Sequence, residues 1–132
     1  MIVNTLRSIT DLVDYDLKKW PNNEYSFTTY EDNTGYQCSI KRNIAGVWCG
    51  YVTLPESHPY YTSNKDDLKH IISVHGKLSY SNSGTFGFDC ACKNDYVPKN
   101  PKSNCKYWTA EMVKKEVINM AQQFEELADI YS

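Results

Sequence analysis

Residues 10–20 carry Leu12, Val13, Leu17 and Trp20 at spacings of one, four and three, which predicts a short helix capped by Ser8 or Thr10 and stopped before Pro21. From Glu24 the period changes to two. Tyr25, Phe27 and Thr29 alternate with Ser26, Thr28 and Tyr30, then Asp32-Asn33-Thr34-Gly35 supplies turn chemistry, and Tyr36, Cys38 and Ile40 resume the alternation. Residues 24–42 therefore read as a β-hairpin. A second turn over residues 43–46 leads into a third strand over residues 47–54, apolar enough to be central, so residues 24–54 form a β-meander.

Beyond Pro55 the periodicity lapses into Pro, Ser, His, Asn and paired tyrosines, a loop composition, with one helical turn over residues 66–70. Three short strand candidates follow at residues 71–75, 77–81 and 85–90, punctuated by Gly76 and by Asn82-Ser83-Gly84. Residues 93–106 are polar and aperiodic, a further loop. The strongest pattern is the last. Val113, Val117, Met120, Phe124, Leu127 and Tyr131 recur at alternating spacings of four and three, the seam of a helix over residues 109–130 with Thr109 as N-cap and Glu111 in its first turn. The expected fold class is α+β: an antiparallel sheet of about five or six short strands, the C-terminal helix packed on one face, and a short N-terminal helix.

Composition narrows the function. The 132 residues hold 14 Lys+Arg against 16 Asp+Glu, a net charge of −2, with 41% hydrophobic residues. That is a globular chain and a single domain over residues 1–132. Near-neutral charge excludes general nucleic-acid binding, which depends on clustered cations that release counterions. No apolar run is long enough to span a bilayer, and no signal peptide opens the chain, which predicts a cytoplasmic protein without membrane association. The five cysteines are then expected to be free thiols, core residues or metal ligands. Eleven tyrosines suit a wet ligand cleft or a protein interface, although codon bias in an AT-rich gene would give the same excess.

Side chains fit for chemistry gather in residues 55–95. His58 precedes a proline, which holds it extended. His75 stands beside Gly76, where backbone can turn tightly and a ligand can approach. Asp89 ends the strand Thr85-Phe86-Gly87-Phe88-Asp89, on the face shared with Gly87, and is suited to orienting an imidazole, capping a turn or binding metal. Cys90, Cys92 and Cys105, with a histidine, supply enough donors for a tetrahedral zinc, although Cys-x-Cys is not the usual spacing. Phosphate-loop, dinucleotide, zincin and serine-hydrolase motifs are absent from the sequence.

The order of these pieces resembles a family of small phage- and prophage-encoded proteins. Its pattern has a strand ending G-Y-V followed by a proline, then His-Pro, then V-H-G-G-L-(T/S)-(F/Y), then G-F-D-(C/T)-A-H with an aspartate shortly after, and a C-terminal helix bearing a glutamate. The matching stretches are Gly50-Tyr51-Val52, Pro55, His58-Pro59, residues 74–80, residues 87–92, Asp95 and Glu116, with Lys77 in place of the second glycine and Cys92 in place of the histidine. The resemblance implies a phage accessory protein, and a ligand site assembled from His58, His75, Asp89 and Asp95, with Glu116 from the helix. His58 and His75 are expected to contact a small polar ligand such as a nucleotide or a signalling molecule of host defence, with Asp89 orienting one histidine and Tyr60 or Tyr61 stacking. The competing expectations are an inhibitor of the anti-CRISPR kind that occludes a host defence protein, and a small zinc-dependent hydrolase.

Overall fold

A computed structural model describes residues 8–29 and 35–131. Helix α1 (Ile9–Lys19) starts at Ser8, whose hydroxyl oxygen accepts from the Asp11 amide at 3.1 Å. It is followed by β1 (Glu24–Thr28), β2 (Gln37–Arg42) and β3 (Trp48–Thr53), the expected meander. Of the turn expected at residues 32–35, only Gly35 falls within the described residues. A helical turn, α2 (Lys65–Leu68), comes next, then β4 (Tyr80–Asn82), β5 (Thr85–Asp89) and the long α3 (Ala110–Tyr131). The five strands form one antiparallel sheet in the order β1-β2-β3-β5-β4, with β3 at its centre.

Strand alternation divides the sheet into two faces. Cys38, Ile40, Trp48, Val52, Phe86 and Phe88 point to one side and are buried under α3, whose Val113, Val117, Met120 and Phe124 are also buried. Leu127 continues the seam, half-buried against the core, and the seam ends before Tyr131, which is exposed. Packing is closest where Val117 crosses β3. A Cβ built on Gly50 would lie 2.4 Å from Val117 Cγ2 and 2.7 Å from Phe88 Cε1, so the bare backbone of Gly50 sets how near the helix can come. The other face carries Ser26, Thr28, Gln37, Ser39, Lys41, Tyr51, Tyr80 and Asn82 and has no helix over it among the described residues.

Residues 71–75, expected as a short strand, are not one. Their backbone groups bond to helix side chains instead of a neighbouring strand: the Ser73 amide donates to Gln123 Oε1 at 2.7 Å, Gln123 Nε2 donates to the Ser73 carbonyl at 2.8 Å, and the His75 amide donates to Glu116 Oε2 at 2.8 Å. Ile72 still enters the core, which accounts for the hydrophobic signal. The candidate at residues 77–81 shrinks to the three residues of β4.

One buried charge joins the layers. Asp16 on α1 is 1% exposed, and its Oδ2 accepts from Trp48 Nε1 at 3.2 Å, the Tyr107 hydroxyl at 2.7 Å and the Ala110 amide at 3.0 Å. The Ala110 amide is one of the first-turn donors of α3 that have no partner within the helix. Beside it, Thr109 caps in the expected way, its Oγ1 accepting from the Met112 amide at 3.2 Å. At the far end of α1, Arg42 donates to the Trp20 carbonyl at 2.7 Å and lies over the Trp48 ring.

Replacing Asp16 by Ala leaves three buried donors unpaired, and at about 1–3 kcal/mol for each, partly offset by no longer burying a carboxylate, we expect a loss of about 3–5 kcal/mol in urea denaturation. Asp16→Asn, which keeps a carbonyl acceptor, should lose less than Asp16→Ala. Gly50→Ala forces the helix off the sheet and should cost about 1–3 kcal/mol, read as a lowered melting temperature with the helical circular dichroism retained.

Candidate functional site

The sequence candidates separate into two places. His58 is buried, its Nε2 lies 2.8 Å from the Phe124 carbonyl, and its Nδ1 accepts from the Tyr60 amide at 3.0 Å. A nitrogen that accepts an amide carries no proton, so the ring is a neutral Nε2–H tautomer donating to α3. Its aromatic neighbours are Tyr36, Tyr60 and Phe124. Both ring nitrogens are used by the backbone, which makes His58 a strut between the β3–α2 loop and the helix. Tyr60 packs against it and against Tyr131. Tyr61 lies over Gly84, and Tyr80 pairs edge-on with Tyr51 on the uncovered sheet face.

His75 lies elsewhere. Its backbone amide is held by Glu116, eight residues before Phe124 on α3 and so about 12 Å away along the helix axis. Its ring nitrogen Nε2 sits 2.9 Å from Asp95 Oδ1 and 2.7 Å from Oδ2. The ring stacks on Trp108 with centroids 4.0 Å apart. Glu116 is itself steadied by Asn119, whose Nδ2 donates to Oε1 at 3.0 Å. The imidazole is thus fixed at its backbone, its face and one nitrogen.

Asp95, not Asp89, orients the imidazole. Asp89 is occupied in a turn, with Oδ1 accepting from the Ala91 amide at 3.0 Å and Oδ2 from the Ser79 hydroxyl at 3.0 Å. Asp95 sits one turn later, where its amide donates to the Cys92 carbonyl at 2.9 Å and its Oδ2 accepts from the Cys92 amide at 2.9 Å. An isolated parallel bridge to Lys106 keeps Asp95 in place. The carboxylate is buried, and the imidazole and the Cys92 amide are the donors that compensate its desolvation.

The three cysteines expected as zinc ligands do not come together. Cys90 points into the core, and Cys105 lies near the Lys93 carbonyl. Cys92 alone joins the site. Its Sγ, a carboxylate oxygen of Asp95 and a ring nitrogen of His75 lie within 4.8 Å of one another, and among the described residues they are the one such group of three metal-type donors. Gly76 makes room for the thiol: its φ is +67°, and a Cβ there would meet Cys92 Sγ at 2.6 Å.

The site opens into a pocket of about 170 Å³ lined by Cys92, Asp95, Asn100, Lys93 and Lys102, with Ala91 and Val97. Three larger depressions, about 410, 440 and 350 Å³, contain no histidine; the first two have a single acidic residue each, Glu24 or Glu56, and the third has none. A local signal for the smaller pocket was present in the sequence. Residues 93–106 hold four lysines and one aspartate, 4 − 1 = +3, on a chain whose net charge is −2. Comparison with protein-family models, with curated proteins and with solved structures gives no match. Among the described residues no helix is long and apolar enough to cross a membrane.

Burial separates the thiols by reactivity. It pushes Cys38 up to about 12 and Cys49, with Asp89 adding to the effect, up to about 11, and it raises Cys90 further. A thiol raised in the folded state contributes stability that is complete below its unfolded value near 9 and is lost as pH rises toward the folded value. Stability should therefore fall between about pH 9 and 11, visible as a declining urea midpoint, and a thiol reagent should reach Cys38, Cys49 and Cys90 only on unfolding.

Proposed function

We propose that the protein binds a small anionic ligand, most simply a phosphate or carboxylate group, in the pocket beside His75 and Asp95. The observation that carries this reading is the pairing of a buried, backbone-anchored His75–Asp95 dyad with a pocket walled by Lys93 and Lys102. Asp95 accepts from the imidazole and from the Cys92 amide, and Lys93 and Lys102 supply the cationic groups of the wall. Asn100 adds an uncharged polar group to the wall. A volume of about 170 Å³ has room for about five waters, enough for an oxyanion and part of its shell.

A nucleotide would place one phosphate inside and leave its base and sugar outside. In that form the reading includes the expectation of a phage-type accessory protein acting on a phosphorylated signal of host defence. Binding ranks above turnover. Burial, with the negative charges of Asp95 and Asp89, raises the Cys92 thiol above its ordinary value, so the one sulfur at the site is a poor nucleophile at neutral pH. A second reading, occlusion of a defence protein's surface, draws on the uncovered sheet face with Tyr51, Tyr80 and Lys41; it places no weight on His75.

Titration calorimetry with inorganic phosphate and with AMP checks the first reading. Saturable binding is expected, weakened at least tenfold by the pair Lys93→Ala and Lys102→Ala with little change in melting temperature. No binding at millimolar ligand, or binding indifferent to both lysines, would overturn it. A stable complex with a large partner that survives His75→Ala would favour the second reading instead.

A further inference from the structure

We propose that His75, Cys92 and Asp95 form a binding site for a divalent transition metal, zinc by its donor chemistry, with a fourth coordination position facing the Lys93–Lys102 pocket. The site shares Asp95 and Cys92 with the anion pocket but stands without it. One imidazole, one thiol and one carboxylate lie within 4.8 Å of each other. Mixed nitrogen, sulfur and oxygen donors of this kind suit zinc rather than magnesium or calcium, which take oxygen ligands alone.

The geometry needs small adjustments. Donors around a tetrahedral zinc, at bonds of about 2.0–2.3 Å, lie roughly 3.3–3.7 Å apart. The His75 Nε2 and Asp95 Oδ1 atoms, now 2.9 Å apart, would separate by about half an ångström, and the thiol would draw in by up to about 1 Å. The supporting contacts are in place already: the Glu116 carboxylate on the His75 amide, Trp108 against the imidazole face, and the Cys92 amide on Asp95 Oδ2, which leaves Oδ1 for a metal. Such outer contacts hold ligands in register and are part of what makes a metal site.

Protons balance simply. The Cys92 thiol gives up its proton to solvent on forming the sulfur–metal bond. The imidazole, which donates Nε2–H to Asp95 in the free protein, gives up that proton to solvent and takes one up on Nδ1, so that the Nε2 lone pair faces the metal, and Asp95 binds as a carboxylate. Three protein ligands leave one position for water or an anion. Gly76 belongs to the same design, because any side chain there would take the space of the Cys92 sulfur.

Cobalt(II) reports on this directly, because a thiolate ligand gives a charge-transfer band in the near ultraviolet. One cobalt per chain is expected, displaced by zinc, with the band lost in Cys92→Ser and kept in Cys105→Ser. His75→Ala should weaken cobalt binding at least tenfold while circular dichroism shows the fold intact. Absence of stoichiometric binding, or a band that persists in Cys92→Ser, would overturn the proposal. Cobalt binding by a protein that takes up no phosphate would leave the metal site standing and remove the anion reading; phosphate binding without cobalt binding would do the reverse.

Discussion

The buried carboxylate of Asp16 is the contact on which the rest of the arrangement depends. Its Oδ2 receives donors from Trp48 in the central strand, 32 residues along the chain, and from Tyr107 and the Ala110 amide at the start of α3, 91 and 94 residues along. An ionised group out of water is unfavourable unless its lone pairs are used, and a helix N-terminus is unfavourable unless its amides are used. Oδ2 and the Ala110 amide satisfy each other here, with the helix dipole favouring the negative charge, while Oδ1 is buried without a hydrogen-bond partner. Where α3 begins decides which of its residues arrive at the loops. Glu116 meets the His75 amide, and Phe124 meets His58, because the helix is started at Ala110 by a residue of α1.

Side chains of α3 then do for Ser73 and His75 what a neighbouring strand does elsewhere. Gln123 takes both backbone groups of Ser73, and Glu116 takes the amide of His75. This is why residues 71–75 read as a strand and are not one: a short apolar run before a glycine reports which side chains are buried, and says nothing of what bonds to the backbone. The meander and the helical seam were legible because their partners are close in sequence or repeat at a regular spacing. Ser8 and Thr109 were legible as caps because a cap lies within three residues of the amide it serves.

The site was only half legible, for the same reason. His75, Asp95, Cys92 and Glu116 are all residue types that chemistry would select, yet nothing local distinguishes Asp95 from Asp89 or His75 from His58. What distinguishes them is distant: the bridge to Lys106 places Asp95, and the carbonyl of Phe124 removes His58. Asp16 gave no signal at all, since an acidic residue in a short helix normally faces water. The run of lysines from 93 to 106 was the one local clue to the pocket, and it was hidden within a near-neutral total.

The neck of that lysine-bearing segment is closed. The Tyr96 amide donates to the Lys106 carbonyl at 2.8 Å, and the Lys106 amide donates to the Asn94 carbonyl at 2.9 Å. Residues 97–105 thus leave and rejoin the scaffold at one point, touching it between through the Lys99 amide, which donates to the Ala45 carbonyl at 3.2 Å, with Val97, Asn100 and Lys102 forming the pocket's outer wall. Lengthening such a loop adds only about 0.6 kcal/mol for each doubling. Asn100 and Lys102 lie beyond that tether, so descent with modification can exchange them, and with them the choice of ligand, while the imidazole and its carboxylate stay where they are.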